Sequence, residues 1–183
     1  MRTESFITDK AQLVRHFEQG CKDKADWRIG TENEQFIFSM TELVRAPYEG
    51  KRGIEALLTA FINDGWQPII EHDRVISVTN GKAFLTLEPA GQFELSGATL
   101  KTLHENLGEL HSYHKQLYGH LKVLGLGLLS QGLDPKTKRE DMPWMPKGRY
   151  KIMRDYMPKR GDHGLDMMTA TCTVQANLDY GSE

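Results

Sequence analysis

The chain has 183 residues, with 23 Lys and Arg against 25 Asp and Glu, a formal net charge of −2, 39% hydrophobic residues and 9% aromatic residues. That apolar content excludes a disordered charged tail, and the balanced charge argues against a protein that tracks nucleic-acid phosphates. The length suffices for one domain of about 150 residues with a real core.

Cys21 and Cys172 stand far apart and form no CxxC pair. A zinc site built from thiolates is excluded, and a disulfide framework is not expected. The opening MRTESFITDK has no apolar run, so no secretory leader is read there. No stretch approaches the roughly 18 apolar residues of a membrane span. These features predict a reduced, soluble, cytoplasmic protein with neither nucleic acid nor membrane as partner.

In chain order, Thr8 or Asp9 can cap a first helix carrying Ala11, Leu13, Val14 and Phe17, with Gly20 as its stop. Residues 27–38 read as a strand. Residues 54–63 carry apolar side chains at 54, 57, 58, 61 and 62, a helical stripe that Gly65 ends. RVISVT (74–79) and KAFLTLE (82–88) flank Asn80-Gly81, which predicts a hairpin with a type I′ turn. Pro89-Ala90-Gly91 breaks the second strand, and QFELS (92–96) resumes it. Residues 99–124 predict one long helix capped by Thr99, with leucines at 100, 103, 107, 110, 117, 121 and 124. A short strand over 125–130, a loop over 131–147 and a short helix over 148–157 follow. In 169–180, Thr169, Thr171, Thr173, Gln175, Asn177 and Asp179 alternate with smaller or apolar residues. Period two puts the six polar side chains on one strand face, and their lack of Lys or Glu suits a polar cavity wall. The chain ends just after this strand, which reads as a fragment of something larger.

Glu32 and Glu34, two apart on a predicted strand, share a face with Phe36 and Phe38. Their Cα atoms lie about 6.6 Å apart, so two charges there repel by about 2.5 kcal/mol at an effective dielectric of 20. Solvent relieves this on an exposed face, where the pair is simply an edge-strand charge pattern. On a buried face a cation or a proton must bind. Glu88 and Glu94 bracket the break at Pro89-Ala90-Gly91 and can converge, although alone they also suit a solvated loop. Four carboxylates on two extended segments offer Mg²⁺ its preferred hard oxygen ligands.

His104, His111, His114 and His120 fall on the long helix, and His111 and His114 are read as packing rather than ligating residues. Lys136-Thr137-Lys138-Arg139 reads as a solvated loop, and Met142, Met145, Met153, Met157, Met167 and Met168 as packing. Arg149 and Arg154 could fork onto a carboxylate or phosphate, or form surface salt bridges.

GTENEQF (30–36), LEPAGQFELSGA (87–98), MPKGRYKIMRDYMPKRGDHGLDMM (145–168) and TCTVQANLDYGSE (171–183) resemble glutamate–cysteine ligase of the plant and proteobacterial type. The resemblance runs from about Trp27 onward and covers the N-terminal part of that family's longer chain. It implies an α+β fold like glutamine synthetase: a curved, largely antiparallel sheet with flanking helices, of which residues 1–183 form an N-terminal portion. It implies ligation of L-glutamate to L-cysteine with ATP and Mg²⁺, the first step of glutathione synthesis. The alternatives are a related ligase with another amine acceptor, or an inactive Mg-nucleotide-binding fragment. By the same resemblance, Glu32, Glu34 and Glu94 are catalytic, and Glu32, Glu34, Glu88 and Glu94 hold the metal. Gln92, Arg149, Tyr150, Gln175 and Asn177 bind substrate or nucleotide. A missing C-terminal half is the implied partner, and a homo-oligomer is compatible with the sequence. Ala90 and Ala170 depart from the family's usual Gly and Arg.

Overall fold

The computed structural model describes residues 6–182; residues 1–5, part of the segment read for a leader, and residue 183 lie outside the described region. Among the described residues, five α-helices and seven strands follow in chain order: α1 (Lys10–Glu18), β1 (Ile29–Ser39), α2 (Ile54–Asn63), β2 (Gln67–Glu71), β3 (Arg74–Thr79), β4 (Phe84–Leu87), β5 (Phe93–Ser96), α3 (Leu103–Leu124), β6 (Leu126–Leu129), α4 (Gly148–Tyr156), α5 (Gly164–Ala170) and β7 (Val174–Leu178). The fold is α+β, as the sequence predicts.

The sheet is antiparallel and open, in the order β2-β3-β4-β5-β1-β6. β7 pairs with the first half of β1 and β6 with its last residues, on the edge opposite β5. The registers sort side chains by face. Ser77, Thr86, Glu94 and Glu34 are successive cross-strand partners, and Glu32 lies between Ser96 and Gln175. One residue along, Val78, Leu85, Leu95 and Asn33 form the opposite face. Alternation therefore produces a polar face and an apolar face from the same strands.

The apolar face packs on α2 and α3. Ile54, Leu57, Leu58 and Phe61 of α2 are fully buried, as their i, i+3, i+4, i+7 spacing requires. Phe61 meets Phe93 at 6.1 Å and Trp66 at 5.6 Å. Gly53 caps α2 because a Cβ there would stand 2.4 Å from the Glu49 carbonyl oxygen. Asp9 caps α1 in a capping box, but none of that helix's residues is buried.

Several expectations need correction. α3 starts at Leu103, capped by Thr102 rather than Thr99; Thr102 and Glu105 form a reciprocal capping box. Its buried face is Asn106, Tyr113, Leu117 and Leu121, whereas Leu103 and Leu107 are exposed. The Asn80-Gly81 loop is not type I′, which needs positive φ at both residues; only Gly81 has it, and the Asn80 side chain accepts from the Lys82 and Ala83 N–H groups. The positive-φ pair is instead His72-Asp73, joining β3 to the unforeseen strand β2. The twelve-residue polar strand shrinks to Val174–Leu178. Thr169 belongs to α5, and Thr169 and Thr171 donate to the carbonyls four residues earlier.

Candidate active site

The polar face gathers the predicted carboxylates from β1, β5 and the residue that follows β4. Glu34 is the direct partner of Glu94 across β1 and β5, where cross-strand Cβ atoms stand about 5 Å apart. Glu88 follows β4 on the same parity as Thr86, so it shares that face. A pocket of about 240 Å³ opens between Glu34, Glu88, Gln92, Thr173 and Gln175 on one side and Met153, Met167 and Met168 on the other. The methionine wall comes from α4 and α5.

Each carboxylate has its own surroundings. Glu32 accepts from the Gln175 amide at 2.6 Å and from the Asn177 amide at 2.8 Å. Glu34 accepts from the Thr173 backbone N–H at 3.0 Å and its hydroxyl at 3.1 Å. The Ser96 hydroxyl donates to Glu94, which is 7% exposed. Arg149 stands 3.8 Å from Glu88. Burial raises the Glu34 carboxyl above its ordinary value, with repulsion from Glu94 and Glu32 adding to it, against the lowering effect of the Thr173 bonds. Burial, then Glu94, pushes Glu88 up to about 7, although Lys147 and Arg149 oppose this. Burial is thus the main reason that both carboxyls are raised, and the neighbouring glutamates add to it.

Among the described residues, no three carboxylate, imidazole or thiolate groups stand together as a metal-holding cluster. Glu32, Glu34, Glu88 and Glu94, the expected metal holders, do not form such a cluster by themselves. The cause is local: Thr173, just before β7, bonds Glu34, Gln175 and Asn177 on β7 bond Glu32, and Ser96 bonds Glu94.

Two predicted ligand-binding residues are occupied elsewhere. Tyr150 is 2% exposed, belongs to the main core, and donates its hydroxyl to the Leu87 carbonyl. Gln92 is 1% exposed; its oxygen accepts from Ala90 N–H, and its amide nitrogen donates to the Met168 and Thr171 carbonyls at 3.0 and 2.9 Å. Gln92 builds a wall of the site and Tyr150 the core behind Leu87, and neither offers a free group. Arg149, mostly exposed, lies over the Tyr150 ring at 5.2 Å and beside Glu88, and Arg154 lies over the Trp144 ring at 4.6 Å. Cys172 is buried, and burial holds its thiol well above the ordinary range, so it is no nucleophile. His114 bonds Gln35, and His120 bonds Asp64 at 2.8 Å.

Sequence reading missed two cations. Lys147, mostly buried, donates to the Leu87 carbonyl at 2.7 Å, and burial lowers its ammonium despite the nearby charge of Glu88 and Glu94. Arg45 is buried beneath the turn at Ala90 and pairs with Asp134 at 3.2 Å. Lys147 precedes GRY and had a local signal; Arg45 had none, because its partners lie 45, 89 and 124 residues away. The Ala90 departure is harmless to the backbone: Gly91 takes the positive φ of 78°, and Ala90 does not.

The sequence pattern of Glutamate-cysteine ligase family 2 (GCS2) matches residues 28–183. The chain is 47% identical over 175 residues to a chloroplastic glutamate–cysteine ligase of Brassica juncea, covering 95% of this chain and 34% of that protein. It is 48% identical to chloroplastic glutamate–cysteine ligase A of Oryza sativa subsp. japonica and 46% identical to the Arabidopsis thaliana chloroplastic ligase, again over 95% of this chain, and over 35% and 33% of theirs. The chain thus spans about a third of the length of the curated relatives it matches. The expectation of a cytoplasmic protein is overturned by these relatives, all of them named as chloroplastic. With the family pattern matched from Arg28 onward and nearly half of the aligned residues identical, the chain belongs to glutamate-cysteine ligase family 2.

Proposed function

We propose that the protein to which this sheet belongs is an ATP-dependent ligase that joins the γ-carboxylate of L-glutamate to the amine of L-cysteine. The supporting observation is the pairing of Glu34 with Glu94 across β1 and β5, with Glu88 beside them and Arg149 and Lys147 at their margin. A nucleotide triphosphate needs both kinds of charge: carboxylates for its counter-cation, and cations for its phosphate oxygens.

The donor set fits Mg²⁺ in chemistry. Glu34, Glu88 and Glu94 are hard oxygen donors, and burial, with the neighbouring glutamates, raises the Glu34 and Glu88 carboxyls, so an added cation would favour their ionised forms. When bound, Mg²⁺ supplies charge neutralisation on the nucleotide phosphates. Glu32 accepts from the Gln175 and Asn177 amides on the same face, which leaves their amide oxygens for substrate. Arg149, exposed beside Glu88, would turn its guanidinium to a phosphate oxygen. A γ-carboxylate oxygen of glutamate attacks the γ-phosphorus of ATP and ADP leaves. The cysteine amine then attacks the acyl carbon and inorganic phosphate leaves. No side-chain nucleophile takes part.

Glu34→Gln in the full-length enzyme tests this reading. Glutamate- and cysteine-dependent ADP release should fall about 100-fold or more, with the unfolding midpoint little changed. Wild-type kinetics in that variant would refute the assignment. Ala170 ends α5, next to pocket-lining Thr171, where the family often carries Arg. Comparing ATP turnover with cysteine against other amines therefore fixes the acceptor.

A further inference from the structure

We propose that Arg45 is a positioning residue for the carboxylate face: by clamping the Ala90 carbonyl, it fixes the turn that joins Glu88 to Glu94. The inference rests on the ligase reading above and adds a residue outside the matched motifs.

The Arg45 side chain is 3% exposed. Nη2 donates to the Ala90 carbonyl at 2.7 Å; Nη1 lies 3.2 Å from Asp134 Oδ2 and 3.4 Å from the Thr169 carbonyl. The guanidinium lies 4.4 Å from the centre of the Phe36 ring. One planar group therefore ties β1, the turn after β4, the end of α5 and the loop at Asp134.

The turn itself is tight. Gly91 N–H donates to the Glu88 carbonyl, and Glu88 N–H to the Gln92 carbonyl, both at 2.9 Å. The two polar groups of Ala90 are held from opposite partners, its N–H by Gln92 and its carbonyl by Arg45. The same two side chains reach the last turn of α5, Arg45 through Thr169 and Gln92 through Met168 and Thr171. From there the chain runs to Thr173, which bonds Glu34. Arg45 thus bears on three glutamates through backbone that it touches directly or through α5.

Stability is a poor account of this arginine. A buried ion pair replaced by apolar groups of similar volume is often neutral or stabilising, and here Nε is left buried without a partner. The fork geometry does something an apolar group cannot: it holds a carbonyl and a carboxylate at a fixed angle. Lysine, a single point charge, cannot hold both in that way.

The test is a steady-state comparison of full-length enzymes: wild type, Arg45→Lys, Glu88→Gln and the double variant, each with its unfolding midpoint. Arg45→Lys should raise the Mg²⁺ concentration for half-maximal ADP release about tenfold. In the Glu88→Gln background it should add much less, because the two act through one turn. A lowered midpoint with wild-type Mg²⁺ half-saturation would show a purely structural role and overturn the proposal. So would effects that combine additively to within about twofold. Unchanged half-saturation in Glu88→Gln overturns the reading of the site, and this inference with it; impaired Glu88→Gln beside a normal Arg45→Lys overturns this inference alone. Should Arg45→Lys fail to fold, Arg45→Met combined with Asp134→Asn removes the clamp without leaving a buried charge. A raised half-saturation in that enzyme supports the proposal, and a normal one refutes it.

Discussion

Glu88→Gln should stabilise the protein above neutral pH and leave it nearly unchanged in mild acid. The Glu88 side chain is 24% exposed, and burial followed by repulsion from Glu94 pushes its carboxyl from the ordinary 4.5 to about 7. In free energy that displacement is about 3 kcal/mol. The sign follows from proton binding: between those two values the folded protein holds a proton that the unfolded chain has released. Stability from this group is therefore fully present below about pH 4.5 and is lost as pH rises through about 7. Urea unfolding at about pH 5 and pH 8 should show wild type losing about 2–3 kcal/mol relative to Glu88→Gln between the two conditions. Millimolar Mg²⁺ should restore part of the wild-type deficit at pH 8 and do less for the variant. Parallel pH profiles for the two proteins would refute the claim that burial and Glu94 raise the Glu88 carboxyl.

Two further perturbations probe the scaffold. Gly91→Ala should cost about 1–2 kcal/mol, since φ at Gly91 is 78°, while its Cβ would meet the end of Met145 at 3.0 Å and Ile54 at 3.4 Å; Ala90→Gly should cost about 0.5 kcal/mol, and equal urea midpoints would contradict the assigned turn. Burial alone would raise the Asp134 carboxyl, but N–H donors from Thr137 and Lys136, together with Arg45, hold it below its ordinary value. Its contribution is present above pH 3.8 and is lost as pH falls through the depressed value, so Asp134→Asn should flatten the acid limb of the stability profile below about pH 4.

Local patterns carried much of the fold. The stripe at Ile54, Leu57, Leu58 and Phe61 sufficed for α2, since an apolar face at helical spacing has one way to be buried. The break at Pro89-Ala90-Gly91 and the extended segments on either side were equally legible. Errors arose where two local rules competed. Leucine spacing suggested a helix from Thr99, while the Thr102–Glu105 capping box set the true start. Alternation in residues 169–180 read as one strand, although the first residues continue α5. The turn at His72-Asp73 has no glycine to announce it, so β2 passed unseen.

The sequence alone determined which strand residues share a face, because side-chain parity is a property of the extended backbone. It therefore placed Glu32 with Glu34, and Glu94 with Gln92, before any tertiary contact was known. It could not determine which strands lie side by side. Pairing β1 with β5 on one edge and with β7 on the other set Glu34 against Glu94 and brought Gln175 and Asn177 to Glu32. Burial then decided each group's part: Tyr150 and Gln92 were taken up by backbone carbonyls, Arg45 was enclosed beneath Ala90, and the Glu88 carboxyl was raised. Those outcomes depend on distance and desolvation across the folded chain, which no local run of residues encodes.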